Sequence, residues 1–563
     1  MSDGVFEERV EARGAVARRP PAVGVLARVA RAPAWTITAV LGLAYVIATP
    51  PSADLAAASY RSYLFGREGF TLWDNAWYAG HHLPAYSLIA PALGWLVGPP
   101  LLAAVSMTAA TALFAALIER RFPERAVRVA SAWFGLGAAI ALLSSRVPFD
   151  LGLALGLGSL LAAQRQRQAL ALVLAALCAL ASPVAGAFLA LAALAWALAG
   201  EERGRAVALA GVALAPILAL VLLFPEGGTQ PFVGSAFYPA LAGVLLIAAL
   251  VAPEHRVLRT GALLYAIALT GAFVLATAVG GNADRLGALA AGPVAALVLL
   301  GSPRAGRRPL LLLALAPAFL YWQANAPVAD FLSASSDASV HASYYTPLLT
   351  ELRALGVDSS THPARVEVVA TRDHWEARWA AASVMLARGW ERQLDRYRNA
   401  LFYEGSPALT PQRYHAWLLE QSVAYVALPD APLDYSATAE RSLLQGARTA
   451  GASAAGQTPP YLDEVWRSAH WRLFAVRDAS PLATPPSVLA QAGHDSFTLR
   501  APVAGTYTVR VHFTSYWALA GGRGCVSRAP GDWTRVQARS AGSLRVVIRF
   551  SLARVLGDGP RCG

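Results

Sequence analysis

Eleven apolar stretches, at about 35–50, 101–118, 126–143, 147–163, 169–181, 183–199, 206–224, 232–252, 260–279, 286–301 and 309–322, dominate the first part of this 563-residue chain. Such stretches suit a lipid solvent. A helix satisfies its own backbone polar groups, and about 20 residues cross the hydrocarbon core. The pattern therefore predicts a polytopic α-helical membrane protein of about eleven transmembrane helices. The pieces at 169–181 and 183–199 are short for a span, and Ser182 and Pro183 between them predict a tight turn.

Charge gives these segments a direction. The net charge is +12, and every basic side chain other than histidine is Arg, a weak sign of a GC-rich bacterial genome. The arginines cluster in alternate connections: Arg120, Arg121, Arg125 and Arg128; Arg165 and Arg167; Arg203 and Arg205; Arg256 and Arg259; Arg304, Arg307 and Arg308. The intervening connections hold few: Arg61 and Arg67, Arg146, none in "PEGGTQ", and Arg285. This is the positive-inside pattern, and it needs no nucleic-acid partner to explain it. Residues 1–34 form an Arg-rich leader that is expected to be cytoplasmic, with an uncleaved signal anchor behind it. An odd number of spans then places the C-terminal portion outside, in the multi-pass topology of a bacterial plasma-membrane protein.

The connection 51–98 is the unusual one. Its passage "LWDNAWYAGHHLPAYSLIAPALGW" carries Asp74, His81, His82 and several aromatics. Residues 85–98 would make ~21 Å of helix, too short for a crossing of about 30 Å. An extra crossing here would also invert the sidedness of everything downstream. The segment is expected to be an external loop whose second half dips into, or lies along, the membrane. Trp73, Trp77, Tyr78 and Tyr86 read as an interfacial aromatic belt.

From Gln323 the composition becomes that of a soluble region. "RVEVVA", "VAYVALPD" and "HWRLFAVRD" alternate like strands, and "HWEARWAAASVMLARGWERQLDRYRNALFY" holds helical stretches. We expect an extracytoplasmic α/β domain at 323–480, with a loop at 446–460, and a β-sandwich-like domain at 481–563. Cys178, inside an apolar stretch, reads as a small core hydrophobe. Cys525 and Cys562 are candidates for a disulfide if their region lies outside, and are too few for a thiolate metal site.

No nucleotide P-loop, Rossmann glycine pattern, zincin helix or nucleophile elbow is present. The polar candidates sit at the ends of apolar stretches. Asp54 and Asp74 read equally as solvated loop acids or as a site. His81 and His82 read as an interfacial pair satisfied by water, or as ligands. Arg146 lies with Asp150 in the second Arg-poor connection. Arg285 either snorkels or, beside Asn282 at the start of the 286–301 helix, receives a phosphate.

An acid just after the first apolar stretch, a long external loop, and "GHHLPAYSLIAPALGWLVGPP" running into "LLAAVSMTAATALFAALIERRF" together resemble the GT-C superfamily of membrane glycosyltransferases. The layout also looks like actinobacterial multispanning proteins related to the YfhO type, some of them labelled as transporter- or 6-pyruvoyl-tetrahydropterin-synthase-related. The GT-C resemblance implies transfer of a sugar from a polyprenyl-phosphate donor to a cell-envelope glycan or lipid acceptor on the outer face. It implies Asp54 or Asp74 as the general base, although the acidic pair that often follows the first helix is absent, since Leu55 follows Asp54. His81 and His82 would bind the donor phosphate, a divalent metal or the acceptor, with Tyr86, Arg146, Asn282 and Arg285 as further substrate-binding residues. Two other classes stay open. A transporter would show itself by solute uptake, and a non-catalytic envelope scaffold by glycan binding through Trp375, Trp390 or Trp517.

Overall fold

The computed structural model describes residues 32–200, 202–301, 306–357, 361–405, 408–446, 458–555 and 562. Most of the Arg-rich leader, Arg304 and most of the 446–460 loop lie outside them. Every predicted apolar stretch forms a helix. They are Trp35–Ala48, Pro99–Ile118, Glu124–Ala141, Val147–Gln164, Gln168–Ala181, Pro183–Leu198, Arg203–Leu223, Gly234–Leu250, Arg256–Val274, Asp284–Leu300 and Arg308–Ser335. The protein is multi-pass, and all eleven predicted stretches are helical. Seven of the described helices are long and apolar enough to cross a membrane, or eight if Trp35–Ala48 and Ala53–Glu68, bent by 73°, make one broken span. Gln168–Ala181, Pro183–Leu198 and Gly234–Leu250 are apolar but shorter. Only Ser182 separates the first two of these, and its hydroxyl accepts from Ala185 N to start the second helix. The last helix runs past Gln323 to Ser335, so no break falls at the composition change.

The helices pack by small residues and turn large ones outward. Ala103, Ala126, Ala130, Ala138, Ala295 and Ala296 are buried, whereas Val207, Leu214, Leu218 and Leu222 form an exposed stripe on Arg203–Leu223. This inversion of the soluble pattern is what lipid permits, because the bundle is held by close approach rather than by apolar burial. Gly152 shows the need. A Cβ there would lie 2.7 Å from that of Ala185.

The 51–98 segment is not a plain loop. After Pro50 and Pro51, Ser52 caps helix Ala53–Glu68 by accepting from Leu55 N. A hairpin pairs Trp73–Asp74 with His81–His82, and a short helix, Ala90–Val97, leads into the next long one. The aromatic belt is overturned for three of its four members. Trp73, Trp77 and Tyr78 are fully buried. Trp77 stacks on Tyr60 at 4.6 Å in a core shared with Tyr345, Leu348, Val366 and Trp375, while Trp73 packs edge-on to Trp517.

The C-terminal portion has two β-rich layers. A five-stranded mixed sheet runs in the order Met385–Leu386, Arg365–Val368, Val423–Pro429, Trp471–Val476, Leu462–Arg467, the first three strands parallel. Helices Ala342–Ala354 and Pro411–Glu420 accompany it. The second strand, Arg365–Val368, with a parallel neighbour on each side, is buried along its whole length, as parallel strands under two covers are. Beyond it, a four-stranded and a three-stranded antiparallel sheet enclose Phe497, Leu499, Val509, Val511, Val536 and Val546. Cys525 and Cys562 are joined in a disulfide, and Cys178 is buried and unpaired.

Candidate functional site

A cavity of about 930 Å³ lies between the helix bundle and the mixed-sheet region. Its lining explains how the bundle is threaded. Ser52 and Asp54, Ser144 and Arg146, Ser182 and Pro183, Pro225, Glu226, Gly227, Gly228 and Gln230, and Ala278, Val279 and Asn282 all face it. These are the Arg-poor connections, gathered at one end, so successive apolar segments run alternately toward and away from the cavity.

Asp54 stands in the first turn of Ala53–Glu68, and Arg146 Nε lies 3.5 Å from its Oδ2. The connection bearing Arg146 is held from three sides. Ser52 Oγ donates to Ser144 O at 3.1 Å, Ser144 Oγ donates to Asp330 Oδ2 at 2.6 Å, and Tyr45 and Ser145 hydroxyls meet at 2.7 Å. Ser145 itself takes a left-handed φ of 53°. The cap that starts the Asp54 helix thus also fixes the loop that presents its arginine partner.

Arg285 and Asn282 enter the cavity from the 280–285 turn. Arg285 lies 5.5 Å from the Phe149 ring and, among the described residues, has no ion-pair or hydrogen-bond partner. A guanidinium left uncompensated at a lined cavity is a receptor for an anion. Beside it the wall is apolar: Phe149, Val184, Ala187, Ile217, Leu220 and Val221. Val221 within that wall is 61% exposed. Tyr86 also lines the cavity, backed by the Arg61 guanidinium at 4.2 Å from its ring. Arg61 in turn pairs with Glu391 at 3.0 Å.

The mixed-sheet side contributes Arg372, Asp373, Trp390, Glu391, Arg392 and Gln393. Burial raises the Glu391 carboxyl above its ordinary range, with Arg61 working against that shift. The "PEGGTQ" loop completes this side. Gly228 has φ +91°, and any side chain there would run into the Gln393 carbonyl, so the loop lies directly on the 390s segment. Burial of Glu226 opposes its charge, but Arg398 at 3.3 Å and His82 at 2.7 Å overcome that and bring its carboxyl to about 2.

Of the residues singled out in the sequence, Asp54, Tyr86, Arg146, Asn282 and Arg285 come together in this cavity. Asp74, His81 and His82 line a different place, the buried hairpin. Asp74 is bound by Tyr60, His494 and the Ala76 amide. His81 stacks on Trp77 with both ring nitrogens unpartnered, and burial pushes it down to about 4. His82 meets Glu226 and Thr514. Among the described residues, no three His, Cys, Asp or Glu side chains converge as a metal site. Glu226, Asp330, Asp373 and Glu391 were missed. The two glycines of "PEGGTQ" were the available signal for the first. The others depend on which segments fold over the bundle.

No protein-family model matches the chain, and no curated protein does. Solved structures do. One is arabinofuranosyltransferase AftD from Mycobacteria, at 15% identity and a TM-score of 0.44, the match covering 84% of this chain and 42% of that one. This chain therefore spans less than half the length of that enzyme. Another is the oligosaccharyltransferase of Archaeoglobus fulgidus in the apo form, at 14% identity and a TM-score of 0.44, covering 70% of this chain and 69% of that one. The same archaeal enzyme, AglB, in complex with an inhibitory peptide and a dolichol-phosphate matches with a TM-score of 0.43.

Proposed function

We propose that this protein is a membrane glycosyltransferase that moves a sugar from a polyprenyl-phosphate donor to a cell-envelope acceptor on the outer face of the membrane. The observation that carries the reading is that one cavity holds a carboxylate (Asp54, held by Arg146) and a guanidinium (Arg285) that, among the described residues, has no hydrogen-bond or ion-pair partner. The lipid chain occupies the apolar wall of Phe149, Ile217, Leu220 and Val221, with its phosphate at Arg285 and Asn282. Asp54, oriented by Arg146, accepts the proton of the acceptor hydroxyl. That oxygen bonds to the anomeric carbon as the bond from that carbon to the phosphate oxygen breaks. The electron pair leaves with the phosphate, whose charge Arg285 takes up. Asp74, saturated with hydrogen bonds in the hairpin, holds the fold instead of reacting. The arginine sidedness of the connections supports a cytoplasmic N-terminus and an outward-facing cavity.

The test is transfer of radiolabelled sugar from polyprenyl-phosphate donors in proteoliposomes with an envelope extract as acceptor. Label should pass from the organic to the aqueous phase with the parent protein and not with Asp54→Asn. Absence of transfer from every polyprenyl-phosphate sugar tried, with folded protein, sinks the reading.

A further inference from the structure

The C-terminal end of helix Arg203–Leu223 stands between two cavities. Ile217, Leu220, Val221 and Phe224 line the one already described. Pro216, Ala219, Leu220, Leu223 and Phe224 line a second, of about 580 Å³. At about 100° per residue these sets fall on neighbouring faces of one helix, with Leu220 and Phe224 on the shared edge. The second cavity exists because its face of the helix is short of side chain: Pro216 and Ala219 stand where the neighbouring stripe carries Leu214, Leu218 and Leu222.

The opposite walls come from two distant segments. Phe70, Thr71 and Leu72 precede the first hairpin, and Ile548 and Phe550 end the last strand of the sandwich. Leu88 and Leu180 join them, their backbones tied by the bond from Leu88 N to Leu180 O at 2.9 Å. The sandwich is anchored at this spot. Tyr516 donates its hydroxyl to Leu223 O at 2.7 Å, and its ring lies 5.6 Å from that of Phe224 and 5.5 Å from that of Phe550. The rim is open and apolar, since Phe70 is 58% and Phe550 52% exposed and Ala219 is exposed as well. Ala219 also borders the exposed Leu222, one turn along at i+3. The cavity therefore continues the outward-facing stripe of a helix long and apolar enough to cross a membrane.

Its chemistry differs from that of the first cavity. Asp495 is the one charged lining residue among those described, and Arg545, His494 and Glu68 are the charged groups that act on its carboxyl. No guanidinium lines the space in the way Arg285 lines the first, so a phosphate gains no receptor inside it. What the walls reward is hydrocarbon, and a greasy opening of this size with exposed rings at its rim marks a site of association. With no headgroup selected, the occupant is the chain present at the highest concentration. We propose that this cavity holds an acyl chain of a bilayer phospholipid, which packs between the end of helix Arg203–Leu223 and the base of the sandwich. The proposal does not depend on the transfer reading, since it concerns a cavity that reading leaves unused.

The experiment places the full chain in nanodiscs of phosphatidylcholine doped with a phosphatidylcholine that carries a diazirine in one acyl chain. After irradiation, mass spectrometry maps the adducts. Residues 70–72 and 548–550 should be labelled, although both lie outside the predicted spans. Ala219→Phe fills the space and should lower that labelling about tenfold, the worth of roughly two buried methylenes. Leu218→Phe, on the exposed stripe, should leave it unchanged, and the melting temperature of each variant reports its folding. The proposal is overturned if the parent carries no adduct at 70–72 or 548–550, or if folded Ala219→Phe is labelled like the parent. It is also overturned if unlabelled polyprenyl phosphate at a few per cent of the lipid removes the adducts, which would make the cavity part of the donor seat.

Discussion

His494 Nδ1 lies 2.8 Å from Asp74 Oδ1, joining the β-sandwich to the first hairpin across 420 positions of sequence. The same carboxylate accepts from Tyr60 at 2.8 Å and from the Ala76 amide at 3.0 Å. Next to it Asn75 binds the Gly493 carbonyl through its side chain and the His494 carbonyl through its backbone. Hairpin and sandwich are therefore one unit.

That ion pair makes stability depend on pH from both sides. Burial alone would raise Asp74, but the His494 hydrogen bond and charge lower it overall from 3.8, so its contribution is present above that value and fades as pH falls through the lowered one. Burial would lower His494, but Asp74 raises it from 6.5, so its contribution is present below 6.5 and is lost as pH rises through the raised value. Melting in detergent should therefore be most favourable between these limits and decline toward alkaline pH. In His494→Gln the alkaline decline should shrink. An unchanged alkaline slope would show that the pair does not couple to folding.

The two candidate acids should separate cleanly. Asp54→Asn should lower transfer by about 10²- to 10⁴-fold, the usual range for a general base, and leave the melting temperature near that of the parent. Asp74→Asn turns one acceptor oxygen into a donor in a fully bonded, buried position. It should cost about 1–3 kcal/mol of stability and affect transfer only through the folded fraction. The reverse pattern would exchange their roles.

Arg285→Ala should weaken retention of polyprenyl phosphate by roughly thirtyfold, about 2 kcal/mol for one hydrogen bond to a charged group. Arg285→Lys should recover part of it, since a point charge remains without the planar fork. Filter binding with labelled lipid phosphate checks both. Equal retention by all three proteins would remove Arg285 from the site.

Glu226→Gln should destabilise the closed arrangement of loop and domain. Glu226 faces His82, at 2.7 Å, and Arg398, at 3.3 Å, with its side chain buried. Removing the charge leaves Arg398 held by the Tyr78 and Gly80 carbonyls alone, a loss of about 1–3 kcal/mol. Limited proteolysis should then cut "PEGGTQ", which Gly228 holds against Gln393 in the parent.

Helix positions were legible because an apolar run of the right length has few alternatives in lipid, and each predicted stretch did become a helix. Trp35–Ala48, Gln168–Ala181, Pro183–Leu198 and Gly234–Leu250 are each shorter than 18 residues, a length that hydropathy alone does not give. Helix Ala53–Glu68 was read as loop for a related reason. Its apolar face of Leu55, Ala56, Tyr60 and Leu64 is interrupted by Asp54, Arg61 and Arg67, so it lacks the density of a span while being nearly as buried. The same mixing of residue types made Trp73, Trp77 and Tyr78 resemble a membrane belt.

By itself the sequence determined the membrane class, the alternation of Arg-rich and Arg-poor connections, the strands Arg365–Val368, Val423–Pro429 and Trp471–Val476, and the candidate polar residues. These follow from local composition and period, which solvent reads directly. Only the tertiary structure decided that Asp54, Tyr86, Arg146, Asn282 and Arg285 share a cavity, whereas Asp74, His81 and His82 lie buried beneath the sandwich. Asp54 and Asp74 are 20 positions apart in one segment. What separates them is a contact made by each with a distant partner, Arg146 for one and His494 for the other, and no local pattern encodes which acid meets which base.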